Sequence, residues 1–416
     1  MSNKKILLIS QNYFPEPTGI GKYNGEMIEW LAGQGYDCTV VTAYPYYPYW
    51  KVQVPYTNRW YKKEVLAYGA SGTRVTVYRC PSYIPAEPTG GKRMLQDMSF
   101  WFFKSWAVLK LLLSRRKYDL IITVAPPFHL AYLGLLVRKF SGGKLLYHIQ
   151  DLQIEAAQDL GMLSGSPKLF ERLYRVERDI MDKADYVSTI SEGMIEKVRA
   201  KTSKEVLFFP NWADTSYFFP IAGKEELKAQ WGYRPDDLIF LYSGAIGEKQ
   251  GLENIIYAAG LLKHESKIKF IICGSGPYRE KLMRMAGAEA LTNINFLPVQ
   301  EKDKFNAFLN LADFHLVLQK ANAGDLVMPS KLTTILAVGG ASIVTSSPGT
   351  SLYNVVSKYN LGYIIEPDNY RLLADEILQI RSDKAGTEEK RANARKYALE
   401  YLNIDNVMST FISTVL

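Results

Sequence analysis

Short apolar runs alternate with longer stretches of helical, one-sided hydrophobic periodicity along the whole chain. In the first half the apolar runs lie at residues 5–10, 39–43, 73–80, 120–124, 144–150 and 186–190. Helical patterns lie between them, and a long one covers residues 92–114. Short apolar strands that alternate with helices are typical of a parallel sheet with helices on both faces. The pattern therefore predicts a Rossmann-like α/β domain over residues 1–212.

The same alternation starts again after a polar stretch at residues 214–237. Its apolar runs lie at residues 238–243, 268–274, 294–297, 314–318, 341–345 and 362–365. We predict a second Rossmann-like domain over residues 213–386, followed by a helical segment, 387–416, that returns toward the first domain. Doubly wound parallel sheets bind ligands at the carboxyl ends of their strands, so we expect the two domains to face each other across a binding cleft.

Composition and charge narrow the class of protein. The chain has 416 residues, enough for two cores, and 47% of them are hydrophobic. Three separated cysteines without a CxxC pair, and four scattered histidines, predict a reducing compartment and no structural metal. Lys+Arg outnumber Asp+Glu by 28 to 19 in residues 1–212, but number 22 against 23 in the rest. The basic half favours an anionic partner such as acidic lipid, a phosphate-bearing acceptor or nucleic acid.

The loop and helix start around residues 325–331 predict an anion site. Pro329 suits a helix entry, Ser330 can cap the helix, and Lys331 adds a positive charge beside the unpaired N–H groups of the first turn. Asp325 offers a carboxylate to sugar hydroxyls, and Met328 precedes the helix. Phosphate at one end and hydroxyls at the other describe a nucleotide sugar. An ordinary strand–helix connection with a surface lysine is the alternative.

Glycine-rich loops follow several other predicted strands. Candidate donor-binding residues in these loops are Gly19, Gly21, Gly244, Lys249, Gly274, Gly276, Phe296 and Leu297. The glycines let backbone approach a phosphate closely, Lys249 could meet a diphosphate, and the apolar pair could flank a nucleobase. The alternative for each loop is simple turn chemistry.

Acidic side chains follow the strand at residues 144–150. Asp151 and Glu155 are four residues apart, so on a helical turn they would share a face and could orient acceptor hydroxyls or act as a base. A capping aspartate with a solvated glutamate is the alternative. His148 lies inside the strand, where packing in the core is the favoured interpretation.

Two aromatic stretches suggest a membrane surface. Residues 100–113 carry Trp101, Lys104 and Trp106 in a helical pattern that is too short and too charged to span a bilayer but could lie at its interface. Residues 44–68 carry seven tyrosines together with Trp50 and Trp60, a mixture that suits lipid headgroups or sugar stacking. A helix that only covers the sheet is the alternative for the first stretch.

Taken together, these motifs resemble the retaining glycosyltransferases of family 4, which have the GT-B fold. The resemblance covers nearly the whole chain, and its motifs are the Gly19/Gly21 loop, residues 184–187 with Ser191-Glu192, Pro210-Asn211-Trp212-Ala213-Asp214, Gly244 to Gly251, Gly274-Ser275-Gly276-Pro277 and Pro329-Ser330-Lys331-Leu332. Residues 11–23 and 325–332 resemble the colanic-acid-type fucosyltransferases in particular. Thr334 stands where the family often has a ribose-binding glutamate, and Gln150-Asp151 stands where a histidine precedes an acidic residue.

The resemblance implies transfer with retention and without a metal ion or other cofactor. The donor would be a GDP-sugar such as GDP-fucose, or a UDP-sugar, and the acceptor a polyprenyl-diphosphate-linked saccharide of a bacterial surface polysaccharide. Catalysis would use Asp151, Glu155, Lys249, Asp325 and Lys331. The enzyme would be cytoplasmic and peripheral at the anionic inner face of the cytoplasmic membrane, with no nucleic-acid partner. The alternatives are a sugar-nucleotide epimerase, a nicotinamide-dependent oxidoreductase and a nucleic-acid binder.

Overall fold

The chain crosses from one structural unit to the other after Pro210 and returns after Val407. A computed structural model describes residues 4–68, 73–87, 89–159, 167–321 and 329–416. The N-terminal unit comprises Met1–Pro210 and Met408–Leu416, and the C-terminal unit comprises Asn211–Val407. The sequence predicted divisions after residues 212 and 386. In the structure the chain rejoins the N-terminal unit at Met408, about twenty residues after the start of the predicted helical segment. Within that unit Phe411 stacks on Phe209 at 3.6 Å between ring centroids.

The N-terminal unit contains an eight-stranded sheet in the order β3-β4-β2-β1-β5-β6-β7-β8. Its strands are β1 Lys5–Ile9, β2 Asp37–Ala43, β3 Lys62–Tyr68, β4 Thr73–Cys80, β5 Leu120–Ala125, β6 Lys144–Ile149, β7 Tyr186–Thr189 and β8 Val206–Phe208. All neighbours pair in parallel except β3, which runs antiparallel to β4 at the edge. The strand order reverses beside β1, which is the topological switch point of a doubly wound sheet.

Helices connect these strands: α1 Gly19–Gly33, α2 Gly90–Leu113, α3 Ala131–Ser141, α4 Gln153–Asp159, α5 Pro167–Lys183 and α6 Glu192–Arg199. Their ends follow local sequence. Ser191 accepts a hydrogen bond from the backbone of Met194 and caps α6. Gly142, at φ 79°, ends α3 in the left-handed conformation that glycine adopts readily.

The C-terminal unit contains a six-stranded parallel sheet in the order β11-β10-β9-β12-β13-β14. Its strands are β9 Leu238–Ser243, β10 Ile268–Cys273, β11 Ile294–Leu297, β12 Phe314–Val317, β13 Ser342–Thr345 and β14 Tyr363–Ile365. Its helices are α7 Lys224–Gln230, α8 Glu253–Leu261, α9 Arg279–Ala288, α10 Lys302–Asn310, α11 Ser330–Ala337, α12 Ser351–Lys358, α13 Tyr370–Ile380, α14 Lys384–Tyr397 and, across the division, α15 Ile404–Val415. The switch point here lies between β9 and β12.

Both cores lie against the two faces of their sheets. In β9, Phe240 and Tyr242 pack into one apolar cluster, whereas Ile239 and Leu241 pack into another on the opposite face. Because successive side chains of a strand point to opposite faces, a strand covered on both sides must be apolar throughout. This requirement explains the continuous apolar runs, and the two predicted doubly wound parallel domains are confirmed.

Two strands were not predicted. β3 lies within residues 44–68, for which the sequence predicted an aromatic surface. Because β3 is an edge strand, its side chains are exposed or half-buried. β8 has only three residues, too few for a periodic pattern to show. Continuous apolar runs therefore predicted the inner strands of this sheet but not its two edge strands, β3 and β8.

Candidate active site

The carboxyl ends of β9, β10 and β12 bring the predicted donor loops of the C-terminal unit together. The loop after β9 begins at Gly244, the loop after β10 at Gly274, and the chain after β12 leads toward α11. Since β9 and β12 flank the switch point, the N-terminus of α11 lies where doubly wound sheets open a binding crevice. Asp325 and Met328 fall in this stretch but lie outside the described residues.

Two of these loops are joined through their backbones. The amide of Gly244 donates to Cys273 O at 3.0 Å, and the amide of Ile246 donates to Ser275 O at 2.9 Å. A methyl group on Gly274 would collide with Gly244 O, and one on Gly276 would lie 3.0 Å from Ile246 N and nearer still to Ile246 O. Both glycines also have positive φ, 148° and 156°. The close approach of the two loops is therefore sufficient to explain why glycine occupies both positions, without a bound ligand.

The joined loops border a cavity of about 230 Å³. It is lined by Ala245, Ile246, Gly247, Glu248, Lys249, Gln250, Ser275, Gly276 and Pro277. Lys249 is exposed, and its carbonyl accepts the amide of Lys320 at 3.0 Å, which ties this loop to the chain after β12. The predicted lysine therefore lies beside the glycines.

Lys331 has the most unusual environment of the predicted residues. Its Nζ is buried, makes no hydrogen bond to any described residue, and lies 3.8 Å from the centroid of the Tyr242 ring. A methyl group on Gly244 would lie 3.8 Å from this nitrogen, so the amine sits at the root of the β9 loop. Burial lowers the pKa of Lys331 to about 7. A buried ammonium without a partner is costly, and an anion bound there would remove that cost.

The helix that carries Lys331 begins as predicted but is capped differently. Pro329 occupies the N-cap position with φ −58° and ψ 119°, and it has no side-chain capping bond. Ser330 is the first helical residue and is exposed, so its predicted role as the cap is wrong. Pro329 supplies no side-chain acceptor to this first turn, and the amide of Leu332 donates to Pro329 O at 2.8 Å. The first turn of a helix is a place where an anion can accept backbone N–H groups.

The chain between β12 and residue 321 is held in place by polar contacts. Lys320 pairs with Glu253 at 2.8 Å, and the amide of Gln319 donates to Thr345 Oγ1 at 2.8 Å. The other carboxylate oxygen of Glu253 is buried without a described partner. Sequence reasoning missed Glu253 and Tyr242, although each lies within two residues of a glycine that it singled out.

Phe296 and Leu297 do not form one surface. They are consecutive in β11, so Phe296 packs toward one core cluster and Leu297 toward the other. Leu297 also accepts the amide of Gly274 at 3.2 Å. Thr334, where the resemblance predicts a ribose-binding glutamate, donates to Lys331 O at 2.9 Å.

In the N-terminal unit, the predicted glycine loop closes around a residue that was not predicted. Glu16 is 3% exposed, and its Oε1 accepts the amides of Tyr46 and Tyr47 at 3.0 Å each. A methyl group on Gly21 would collide with Oε2 of Glu16, and one on Gly19, at φ 63°, would lie 3.3 Å from the Tyr47 ring. These glycines accommodate Glu16 and Tyr47, and burial raises the pKa of Glu16 to about 7.

Further polar groups meet near the carboxyl ends of β1 and β6. Gln153 Nε2 donates to Asp97 Oδ2 at 2.8 Å, and burial raises the pKa of Asp97 to about 6. Lys104 is completely buried and donates to Ser10 O at 2.9 Å, so its predicted contact with acceptor or membrane is wrong. Burial lowers the pKa of Lys104 to about 7. Sequence reasoning missed Asp97, since one acid in a basic helix gave no pattern.

Asp151 and Glu155 do not share a helical face. Asp151 precedes the start of α4 by two residues, whereas Glu155 lies within the helix. Glu155 forms an ion pair with Lys201, which also pairs with the buried Glu177 at 2.7 Å. Asp151 instead lies near Tyr47. Burial raises the pKa of Tyr47 most, and the negative charges of Glu16 and Asp151 raise it further. Only Asp151 therefore joins the strand-end cluster.

The predicted surface aromatics fall into two groups. Trp60, Trp101 and Trp106 are exposed. Trp50 packs on the Tyr46 ring at 5.7 Å and carries Arg93 above its own ring at 5.1 Å. His148 is buried in β6 and bonds Ser188 Oγ at 2.9 Å, so the interpretation of a packed histidine is confirmed.

No group of three or more His, Cys, Asp or Glu side chains within the described residues could hold a metal ion. None of the helices in the described ranges has the length and apolar content to cross a bilayer.

Comparison with known proteins identifies the family. Residues 18–212 match the glycosyl transferase 4-like domain, and residues 223–401 match glycosyl transferases group 1. WcaI of Escherichia coli K12, whose name assigns it to colanic acid biosynthesis as a glycosyl transferase, is 40% identical over 99% of both chains. WbjE of Pseudomonas aeruginosa, also named a glycosyltransferase, is 23% identical over 71% of this chain and 75% of its own. The chain belongs to the group 1 glycosyltransferases with a 4-like N-terminal domain.

Solved structures agree on the fold. Sucrose-phosphate synthase of Thermosynechococcus elongatus superimposes with a TM-score of 0.73 at 18% identity, over 99% of this chain and 98% of its own. Anabaena HepE, solved with UDP and glucose, gives 0.65 at 14% identity over 99% of both chains. The predicted GT-B fold is confirmed, and the comparisons give no support to the epimerase alternative.

Proposed function

We propose that this enzyme transfers a sugar from a nucleoside-diphosphate sugar to a saccharide acceptor during synthesis of a bacterial surface polysaccharide. The buried amine of Lys331 at the start of α11, which makes no hydrogen bond to any described residue, carries this proposal. In a glycosyltransferase, the group most in need of a fixed positive charge is the departing diphosphate. The name of WcaI supports the polysaccharide, and the UDP and glucose of HepE support the class of donor.

The C-terminal unit would act on the leaving group. As the bond between the anomeric carbon and the diphosphate oxygen breaks, negative charge grows on that oxygen. Lys331, the first-turn amides of α11 and Lys249 would stabilise this charge more strongly in the transition state than in the bound donor. Asp325 would hold the donor sugar through its hydroxyls, and the new bond would retain the anomeric configuration. No metal ion is needed in this scheme, because the charge is met by protein groups.

The N-terminal unit would hold the acceptor. Its hydroxyl must lose a proton as the new bond forms, and Asp151, near Tyr47, is the proposed acceptor of that proton. Glu155 is excluded from this role because its carboxylate is paired with Lys201. The acceptor is proposed to be a polyprenyl-diphosphate-linked saccharide, and GDP is the favoured donor nucleotide. The enzyme would then work in the cytoplasm at the inner face of the membrane.

Ligand-induced thermal stabilisation tests the donor site directly. The purified protein would be heated with GDP, UDP, ADP or dTDP, with and without EDTA. A diphosphate at 100 times its dissociation constant should add about 2.7 kcal/mol to the free energy of unfolding. We expect one base to give a clear shift that EDTA leaves unchanged.

Variants of Lys331 make the test specific. Lys331→Met should abolish the shift, and it should also stabilise the free protein, because an apolar side chain replaces a buried amine that makes no hydrogen bond to any described residue. Lys331→Arg should keep part of the shift. The surface variant Lys263→Met, in the same unit, serves as the matched control. A full shift in Lys331→Met would remove Lys331 from the diphosphate site, and the absence of a shift with all four nucleotides would contradict the proposed donor.

A further inference from the structure

The turn that carries Lys249 is held by a segment that is distant in the chain. Glu248–Gln250 form a single 3₁₀ turn between β9 and α8. The carbonyl of Lys249 accepts the amide of Lys320, which lies three residues after the end of β12. A lysine side chain is a flexible four-carbon stem, so the region that its ammonium can reach is set by where its backbone is held. The contacts of Lys320 therefore decide where the exposed side chain of Lys249 begins.

Glu253 ties the side chain of Lys320 back to the same turn. Its Oε1 pairs with Lys320 Nζ at 2.8 Å, and Glu253 begins α8 only four residues after Lys249. The two contacts of Lys320 therefore close residues 249–253 into a ring. Gly251 lies within this ring at φ 61°, and a methyl group on it would be 3.2 Å from Lys320 Cγ. The glycine thus provides both the left-handed bend and the space for the lysine stem.

The ion pair between Glu253 and Lys320 is largely withdrawn from solvent, with 20% and 24% of the two side chains exposed. Fully exposed ion pairs contribute little to stability because water screens them. Here Oε2 of Glu253 is buried and makes no hydrogen bond to any described residue. The hydrogen bond to Glu253 raises the pKa of Lys320. Removal of either partner would leave the other charge poorly compensated, so this pair is costly to break.

Residues 319–321, which we term the anchor segment, are fixed to two further strand ends. The amide of Gln319 donates to Thr345 Oγ1 at 2.8 Å, and the same hydroxyl donates to Gln319 O at 2.9 Å. The amide of Ala321 donates to Asp368 Oδ2 at 2.9 Å. Thr345 is the last residue of β13, and Asp368 follows β14. The anchor segment therefore has a fixed position on the C-terminal sheet, and it can pass this position to the turn that it contacts.

We infer that Glu253 is a positioning residue for the diphosphate site, because it holds the anchor segment against the turn that carries Lys249. Through the anchor segment this turn is attached to the ends of β13 and β14 as well as to β9. A group that stabilises developing negative charge is most effective when its position is fixed before the reaction. The inference rests on the proposed function, since Lys249 is a proposed ligand of the leaving diphosphate. Glu253 acts through Lys249 and does not itself bind the donor.

A double-mutant cycle separates this role from a general effect on stability. GDP, UDP, ADP and dTDP would be titrated by calorimetry into the full chain and its Glu253→Gln, Lys249→Met and double variants. For the nucleotide that the parent binds most tightly, Glu253→Gln should raise Kd by about five- to tenfold. In the Lys249→Met background the same substitution should change Kd by less than about twofold, because the residue that Glu253 positions is absent. Equal fold-changes in the two backgrounds would overturn the inference.

Hydrogen exchange of the ligand-free protein tests the geometry itself. In Glu253→Gln the amide of Lys320 should exchange about tenfold faster, since its hydrogen bond to Lys249 O loses the support of the ion pair. The matched control Glu265→Gln removes another 2.8 Å ion pair of the same unit, with Arg381, and should change neither this exchange nor Kd.

The two measurements distinguish two kinds of failure. A parent protein that binds none of the four nucleotides would overturn the proposed function and this inference with it. Unchanged exchange at Lys320 in Glu253→Gln, or a cycle with equal fold-changes, in a protein that does bind a nucleotide would overturn the role of Glu253 alone.

Discussion

At the scale of single residues, the structure separates lysines that look alike in the sequence. Lys331 and Lys104 are both buried with pKa values lowered to about 7, yet Lys104 donates to a backbone carbonyl and Lys331 has no described partner. Lys249 is exposed beside the donor cavity. Of these three lysines, Lys331 alone has a buried amine without a hydrogen bond to any described residue, and an anion site requires such an uncompensated charge.

The lowered pKa of Lys331 predicts that diphosphate binding depends on pH. The pKa of Lys331 in the free protein is about 7, and a bound diphosphate requires the charged form, so binding takes up a proton above that pH. The dissociation constant should be nearly flat below pH 7 and then rise by up to about tenfold per pH unit. Isothermal titration calorimetry between pH 6 and 9, in two buffers of different ionisation enthalpy, measures both the affinity and the proton.

The Lys331→Arg variant is the control for that profile. Its guanidinium stays charged throughout this range, so its binding should change little with pH. A flat profile in the parent protein, or an identical rise in the arginine variant, would contradict the role of Lys331.

At the scale of elements, the donor site depends on how two strand-end loops meet. The loops after β9 and β10 exchange backbone hydrogen bonds and leave no room for a side chain at Gly274 or Gly276. The α11 helix then presents its first turn beside them. The helix start was evident from sequence, whereas the contact between loops depends on β9 and β10 being neighbours in the sheet.

Gly276→Ala should therefore be costly. The added methyl group meets the backbone of Ile246, which cannot rotate away, and the residue has φ 156°. We expect a loss of about 2–4 kcal/mol in the free energy of unfolding, together with weaker diphosphate binding. Chemical denaturation followed by tryptophan fluorescence measures the first quantity, and the thermal-shift assay the second.

Gly287→Ala provides the comparison on α9. Its methyl group would meet nothing within 4 Å, so the change should be neutral or slightly stabilising. Equal effects of the two substitutions would show that backbone packing at Gly276 is not the cause.

At the scale of the whole molecule, the two units carry different kinds of surface. The excess positive charge and the exposed apolar side chains of α2 belong to the N-terminal unit. The buried Lys331 and the glycine loops after β9 and β10 belong to the C-terminal unit. This division matches the separation of acceptor and donor that the proposed reaction needs.

Hydrogen exchange can map that division. Diphosphate should give its largest protection at residues 244–251, 274–278 and the start of α11, since its proposed ligands lie there. Anionic vesicles should instead protect α2 and residues 58–62. Mass spectrometry of peptides from the full chain gives both maps, with phosphatidylcholine vesicles as the control. Protection by vesicles centred in the C-terminal unit would refute the assignment of surfaces.

The sequence by itself determined the fold class, the strands buried on both faces and the start of α11, because continuous apolar runs, helical periodicity and Pro-Ser-Lys at a helix entry are local signals. Tertiary structure decided which side chains meet. Glu155 is neutralised by a lysine 46 positions away, and Lys104 points inward on a helix that is apolar on both faces. Burial and pairing depend on elements distant in the chain. One-dimensional spacing could propose Lys331, but only the packed structure could show that its amine is buried without a hydrogen bond to any described residue.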